Sequence, residues 1–303
     1  MTVSQLDDRQ LLKLARAFHT KKNLGQHFLV NENAINGIVA ALDLKPDEQV
    51  LEIGPGIGFL TRLLCDSCKS VTAVDLDRES IEYLKKMQIP NLSIKHGDIL
   101  AYDLKAGRFR DAGSTATAWA EPDDKQHWKI VGNLPYQITG LILGHLLGEI
   151  GEAAAALSEI DNIVLTVQKE VAHRMVAKAG SKNYAQLSLL IAYFCDAEII
   201  LDLPASYFYP APRVDSAVIR LIPLKEPRVK CNDAKFLRRV IRAGFAQRRK
   251  MLRNALTALP VSADQLNALF KEMQYDPQVR AESLSLQQFA MLSDVLAKLV
   301  ANK

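Results

Sequence analysis

The residues with the plainest capacity for chemistry stand in a row at the end of an apolar run, "KIVGNLPYQI", residues 129–138. The amide oxygen of Asn133 and the backbone carbonyl of Leu134 are both hydrogen-bond acceptors. Pro135 has no N–H and fixes φ, which stiffens the turn that aims the Leu134 carbonyl. Tyr136 adds a flat face for an extruded base, a contact worth roughly 1–3 kcal/mol in single-stranded complexes. Such a set suits the amino group of adenine. That nitrogen is a poor nucleophile because its lone pair is delocalised into the ring, and it is too weakly acidic to be deprotonated first by a carboxylate. Acceptors aimed at its two N–H bonds favour a pyramidal nitrogen whose lone pair can point at an electrophile.

The matching electrophile is suggested upstream. "LEIGPGIGF" places Glu52 at the end of a strand and Gly54, Gly56 and Gly58 in the turn after it. Glycines allow a sharp turn and close approach of a ligand to the backbone. A dinucleotide fingerprint, G-x-G-x-x-G, fails because the sixth position from Gly54 is Phe59, and a phosphate loop fails for want of Gly-Lys-Ser/Thr. Asp75 ends the next strand, where a carboxylate can accept from both hydroxyls of a ribose. Asp98, in "HGDI" after a third strand, can accept from an adenine amino group. A glycine loop, a ribose acid and an adenine acid on successive strand ends suit S-adenosylmethionine, which has no phosphate to cradle.

These residues need a frame that brings several strand ends to one edge. From about residue 49 the chain alternates short apolar strands with amphipathic helices: "QVLEIG", "SVTAVDLD", "LSIKHGD", "WKIVGNLP", "DNIVLTVQ" and "AEIILDLP". That rhythm predicts an α/β fold with a mostly parallel, Rossmann-like sheet covered on both faces. The last strand, "VDSAVIRLIPL", follows a Pro-rich segment too short for a crossover helix and is expected to pair antiparallel. Beyond "LIPLKEPRVK" the pattern is purely helical. The expected partition is a basic extension over 1–23, the sheet domain over 24–225 and a small all-helical domain over 226–303. Residues 105–127 break the rhythm and read as a surface insertion.

The 303 residues, with a hydrophobic share of 49% and a charged share of 24%, fit a globular protein of more than one domain. The start of the chain lacks the pattern of a signal peptide, and no apolar run is long enough to span a bilayer. Cys65 and Cys68 form a lone C-x-x-C without a second pair, so neither zinc nor a disulfide framework is expected. A cytoplasmic monomer without metal is the expectation.

Taken together, "KKNLGQHFL" (21–29), "EIGPGIG" (52–58), "NLPY" (133–136), "FYPAPRVDSAVIRL" (208–221) and "FAQRRKMLRN" (245–254) resemble the small-subunit ribosomal RNA adenine N6,N6-dimethyltransferases. The similarity runs from about residue 16 to about 296. It implies a seven-stranded class I methyltransferase sheet and dimethylation of N6 on two adjacent adenosines near the 3′ end of 16S RNA. The expected substrate particle is an immature 30S subunit, with a role in subunit biogenesis. The resemblance makes His27, Leu29, Gly54, Asp75, Asp98 and Asn133 cofactor contacts, and sets the target adenine between Tyr136 and Phe208. Position 27 is His where many relatives have Asn, and the insertion at 105–127 is longer than usual. Rival functions are a large-subunit adenine methylase and a non-catalytic assembly or transcription factor on the same fold.

Residues 231–254 carry eight Lys or Arg against one acid, Asp233. On one continuous helix Arg238 and Arg242 would share a face, as would Arg249 and Arg253. With Arg248 and Lys250 they are the expected RNA-phosphate contacts. A second stretch, Arg9 to Lys22, has five Lys or Arg and no acid.

Overall fold

The computed structural model describes residues 6–21, 24–109, 127–247 and 249–301. Arg248, Lys22 and most of the 105–127 insertion lie outside the described residues.

Seven strands form one sheet: β1 (Gln49–Ile53), β2 (Ser70–Asp75), β3 (Leu92–His96), β4 (Trp128–Asn133), β5 (Ile160–Gln168), β6 (Cys195–Leu203) and β7 (Ser216–Pro223). Their spatial order is β6-β7-β5-β4-β1-β2-β3. Strands β3, β2, β1, β4 and β5 run parallel, with Val50 opposite both Val71 and Lys129. As expected, β7 runs antiparallel to β5, with Leu165 opposite Ile219. The central strands are buried nearly end to end, which is why they read as continuous apolar runs. At Gly132 a Cβ would lie 2.8 Å from the Ile53 carbonyl oxygen. A side chain there would push β4 away from β1, the two strands that end in Asn133 and the glycine loop.

Helices α2 (Glu32–Leu42), α3 (Phe59–Ser67) and α4 (Arg78–Lys85) accompany these strands. Asn31 caps α2 by accepting from the Ala34 N–H at 2.9 Å, and Asp77 caps α4 through the Glu79 N–H. The first helix, α1 (Asp8–Ala17), buries Leu11 and Ala15 and carries a capping box between Asp7 and Gln10. Its Asp8 accepts from Asn31 Nδ2 and the Glu32 N–H, so the extension is docked onto α2. The main core joins α1, α2 and α3 with Val50, Val131, Val164 and Val218 of the sheet.

The chain divides into two compact units. The first comprises Met1–Leu146, Ala155–Ala172 and Glu198–Pro223, and holds almost all of the sheet. The second comprises Leu147–Ala154, His173–Ala197 and Leu224–Lys303. It contains α7 (Gln186–Phe194), α8 (Ala234–Phe245), the one-turn α9 (Leu252–Ala255), α10 (Ala263–Glu272) and α11 (Leu286–Ala301), α5 (Thr139–Leu147) and α6 (Lys169–Met175) lying earlier in the chain. Its core is built on Leu237, Val240, Leu252, Leu256 and Phe289, with Phe245 tilted against Phe289 at 5.9 Å between ring centroids.

The basic stretch is therefore not one helix. It breaks after Phe245 and resumes at Leu252 as α9, where the Leu252 N–H is held by the Val279 carbonyl at 2.7 Å. Arg249 falls in the break and Arg253 on α9, so the helical pairing expected for these two does not form. No helix among the described residues is long and apolar enough to cross a membrane.

Candidate active site

Four neighbouring strands deliver their carboxyl ends to one cavity of ≈ 270 Å³. Asp98 follows β3, Asp75 ends β2, Gly54 follows β1 and Asn133 ends β4, and all four line it. This is the edge at which open α/β sheets bind ligands. Residues 24–29, ahead of the first sheet strand, line the same cavity. Phe28 and Leu29 are held there by pairing with Tyr209 and Phe208.

On the cofactor side, Gly54 has φ +69°, a conformation that favours glycine, and its N–H is tied to the Val74 carbonyl at 2.9 Å. Both carboxylate oxygens of Asp75 are fixed by backbone donors: Oδ1 by the Asp77 N–H at 2.8 Å and Oδ2 by the Gly56 N–H at 3.2 Å. Each oxygen keeps lone pairs for ribose hydroxyls. Burial pushes the Asp75 carboxyl up to about 6, against the pull of those backbone N–H groups. Asp98 is exposed and also caps the short 3-10 turn after it, accepting from the Leu100 N–H at 2.9 Å.

Glu52 received no role from the sequence, although an acid inside an apolar strand is itself a signal. Its side chain is 2% exposed and lines the cavity, and Oε2 meets no hydrogen-bond partner among the described residues. Burial pushes this carboxyl up to about 8, with the Thr61 hydroxyl opposing and the Asp75 charge adding. A buried acid of this kind is matched by a cation. S-adenosylmethionine carries two positive centres, so Gly54, Asp75, Asp98 and the orphaned Glu52 oxygen together fit that cofactor.

On the amine side, Asn133 Nδ2 donates to the His27 carbonyl at 2.7 Å. One of its two N–H bonds is committed there, which leaves the other N–H and the amide oxygen for ligands. The Leu134 N–H is held by the Thr166 carbonyl at 3.1 Å, which anchors the turn to β5. The Tyr136 hydroxyl shares a 2.7 Å hydrogen bond with Ser216 Oγ, and burial raises the phenol above its ordinary value. His27 is pinned by a 2.6 Å hydrogen bond between Nδ1 and the Pro210 carbonyl. A carbonyl only accepts, so Nδ1 carries the proton. The His27 ring lies nearly parallel to Tyr136, 18° between planes and 6.0 Å between centroids.

Phe208 is 3% exposed, belongs to the hydrophobic core and is not among the residues that line the cavity. It pairs with Leu29, and His27 is the ring that faces Tyr136. The other cofactor and amine residues, His27 and Leu29 included, converge on one cavity.

The expected RNA contacts divide. Arg238 is ion-paired with Glu149 and lies 3.7 Å from Glu152, and Arg242 reaches Glu149 at 2.6 Å. The two arginines do share a face, but one acid holds both. Arg253 donates to Asn267 at 2.8 Å, whereas Arg249 and Lys250 are exposed in the break after α8. The C-x-x-C thiols are buried and pushed up to about 12 (Cys65) and about 11 (Cys68), mainly by burial, which makes them poor nucleophiles.

The ribosomal RNA adenine dimethylase family model matches residues 17–298. Ribosomal RNA small subunit methyltransferase A of Nostoc sp. is 41% identical over 278 residues, 91% of this chain and 97% of that protein. The protein of the same name from Geobacillus kaustophilus is 39% identical over 288 residues, 93% of this chain and 92% of that one. The crystal structure of a dimethyladenosine transferase from Plasmodium falciparum has a TM-score of 0.65 at 24% identity, covering 88% of this chain and 95% of that one, and shares the class I methyltransferase fold. With a family match over nearly its whole length, the chain belongs to the ribosomal RNA adenine dimethylases.

Proposed function

We propose that this dimethylase places two methyl groups on N6 of each of two adjacent adenosines near the 3′ end of small-subunit ribosomal RNA, within an immature 30S particle. The observation that supports this is Asn133: its amide is oriented by a bond from Nδ2 to the His27 carbonyl, and it lines the same cavity as Leu134 and Tyr136. The names of the relatives from Nostoc and Geobacillus support the choice of the small subunit.

When bound, S-adenosylmethionine supplies a methyl group made electrophilic by its sulfonium. His27, Leu29, Gly54, Asp75, Asp98 and Asn133 are the residues proposed to hold it, with Glu52 facing its positive charge. Asn133 Oδ1 and the Leu134 carbonyl accept from the two N–H bonds of the target amine and favour a pyramidal nitrogen. Tyr136 offers the stacking face and Ser216 fixes its tilt. The role is chiefly orientation, with no proton-abstracting residue required. After one methylation the nitrogen keeps one N–H, so an acceptor site can act a second time.

The test is incubation with labelled S-adenosylmethionine and under-methylated small subunits, followed by nucleoside analysis. Labelled dimethyladenosine is the expected product. Label in large-subunit RNA would redirect the specificity, and tight binding to small subunits without label would favour an assembly factor.

A further inference from the structure

Gln26 has no assigned role, yet it sits where the two halves of the site meet. Its side-chain amide is engaged at both ends: Oε1 accepts from the Lys21 N–H at 2.8 Å, and Nε2 donates to Asp77 Oδ2 at 2.7 Å. Asp77 in turn has a side chain with no exposure. An N-cap for α4 needs one accepted bond, the one from the Glu79 N–H at 3.1 Å. Asp77 also takes Lys21 Nζ at 2.5 Å, Gln26 Nε2 and Ser80 Oγ at 3.2 Å. Capping leaves these further donors unexplained. Burial works against ionisation of Asp77, but the bonds from Lys21 and Gln26 hold it below the ordinary carboxylate value.

The connections on either side give the network its meaning. The Asp77 N–H fixes Asp75 Oδ1, one of the two oxygens offered to the ribose. Gln26 precedes His27, whose carbonyl takes the Asn133 NH₂. The far end of the 24–29 segment is secured by strand pairing to Phe208 and Tyr209, and the Gln26–Asp77 bond, with the bonds of Lys21 beside it, fixes its near end.

We propose that Gln26 and Asp77 are a positioning pair that seats residues 24–29 against the loop of the ribose acid and so aims the Asn133 amide at the target amine. The pair acts on the cofactor through Asp75 and on the amine through the His27 carbonyl. Only the second effect rests on the function proposed above.

The test is Gln26→Glu, which sets a second carboxylate against a buried one and turns an attraction into a repulsion. Calorimetry without RNA is expected to show cofactor Kd raised about tenfold, and kcat on under-methylated small subunits at saturating cofactor to fall about 100-fold. In the swapped pair, Gln26→Glu with Asp77→Asn, the new amide can donate to the new carboxylate, which still accepts the Lys21 N–H. Both parameters are expected to recover most of the loss, a coupling that a double-mutant cycle measures. Gln26→Ala removes the bond without the repulsion and carries the test if the glutamate variant does not fold. A glutamate variant within about twofold of wild type in Kd and kcat overturns the proposal, even if it melts earlier. So does a swapped pair no better than Gln26→Glu alone. If wild type transfers nothing to small subunits, the proposed substrate falls while the cofactor titration still decides the pair.

Discussion

At the scale of single residues, the site divides into groups that lower stability for the sake of binding and groups that are fully satisfied. Glu52 is the clearest of the first kind. Its carboxyl is pushed up to about 8 in the folded, cofactor-free chain from an ordinary 4.5, so between those values the folded state holds a proton that the unfolded chain releases. The stability associated with the neutral acid is fully present below 4.5 and is lost as pH rises through about 8. Asp75 acts in the same direction between 3.8 and about 6. Glu52→Gln is therefore expected to melt at a higher temperature than wild type at alkaline pH and to show the flatter dependence of Tm on pH. Thermal unfolding across that range checks it, and parallel curves for the two proteins would contradict it. The same variant is expected to bind S-adenosylmethionine more weakly, since the cation then faces a neutral amide. Tyr136 belongs to the satisfied kind. Tyr136→Ala is expected to weaken binding of RNA bearing the target adenine by roughly 1–3 kcal/mol, the worth of one stacked base, with little change in cofactor affinity. Equilibrium titration with a short target RNA reads both. The types of these residues were legible in the sequence; their partners were not. Nothing in "NLPY" says that the Asn133 NH₂ belongs to the His27 carbonyl 106 residues earlier, or that the Tyr136 hydroxyl belongs to Ser216.

At the scale of elements, patterning carried far. Continuous apolar strands announced a parallel sheet, and the short Pro-rich approach to "VDSAVIRL" announced the antiparallel β7. Patterning failed where tertiary contacts outweigh local preference. The stretch 234–256 has no Gly-Pro signal after Phe245, yet the helix ends there and resumes at Leu252, whose N–H is taken by the Val279 carbonyl. The basic face of α8 shows how a charge count can mislead. Glu149, in the short antiparallel pair after α5, takes both Arg238 and Arg242. Glu149→Gln is expected to release them, to tighten RNA binding and to steepen the fall of log K with log salt by about one. Lys250→Ala is expected to change the slope by a similar amount in the opposite sense. Titrations at several salt concentrations measure both; an unchanged slope in Glu149→Gln would show that these arginines serve only the helical unit.

At the scale of the whole molecule, a net charge of only +4 over 303 residues cannot by itself gather RNA. Binding is expected to draw on local clusters such as the break after α8, and affinity for small-subunit RNA to fall linearly on logarithmic axes as salt rises. Salt-insensitive binding would contradict that. The chain combines a sheet unit, which holds the cavity described here, with a separate helical unit carrying the exposed basic break. The division of labour expected from this is binding strength set by basic surface and rate set by neutral acceptors. Its most direct test is Asn133→Ala in a single-turnover experiment with saturating labelled S-adenosylmethionine and under-methylated small subunits. The rate of methyl transfer is expected to fall by about 10²–10³-fold, as for loss of one preorganised hydrogen-bonding group in an active site, while subunit affinity and its salt slope stay at wild-type values. A transfer rate within about twofold of wild type would show that the amide does not shape the amine.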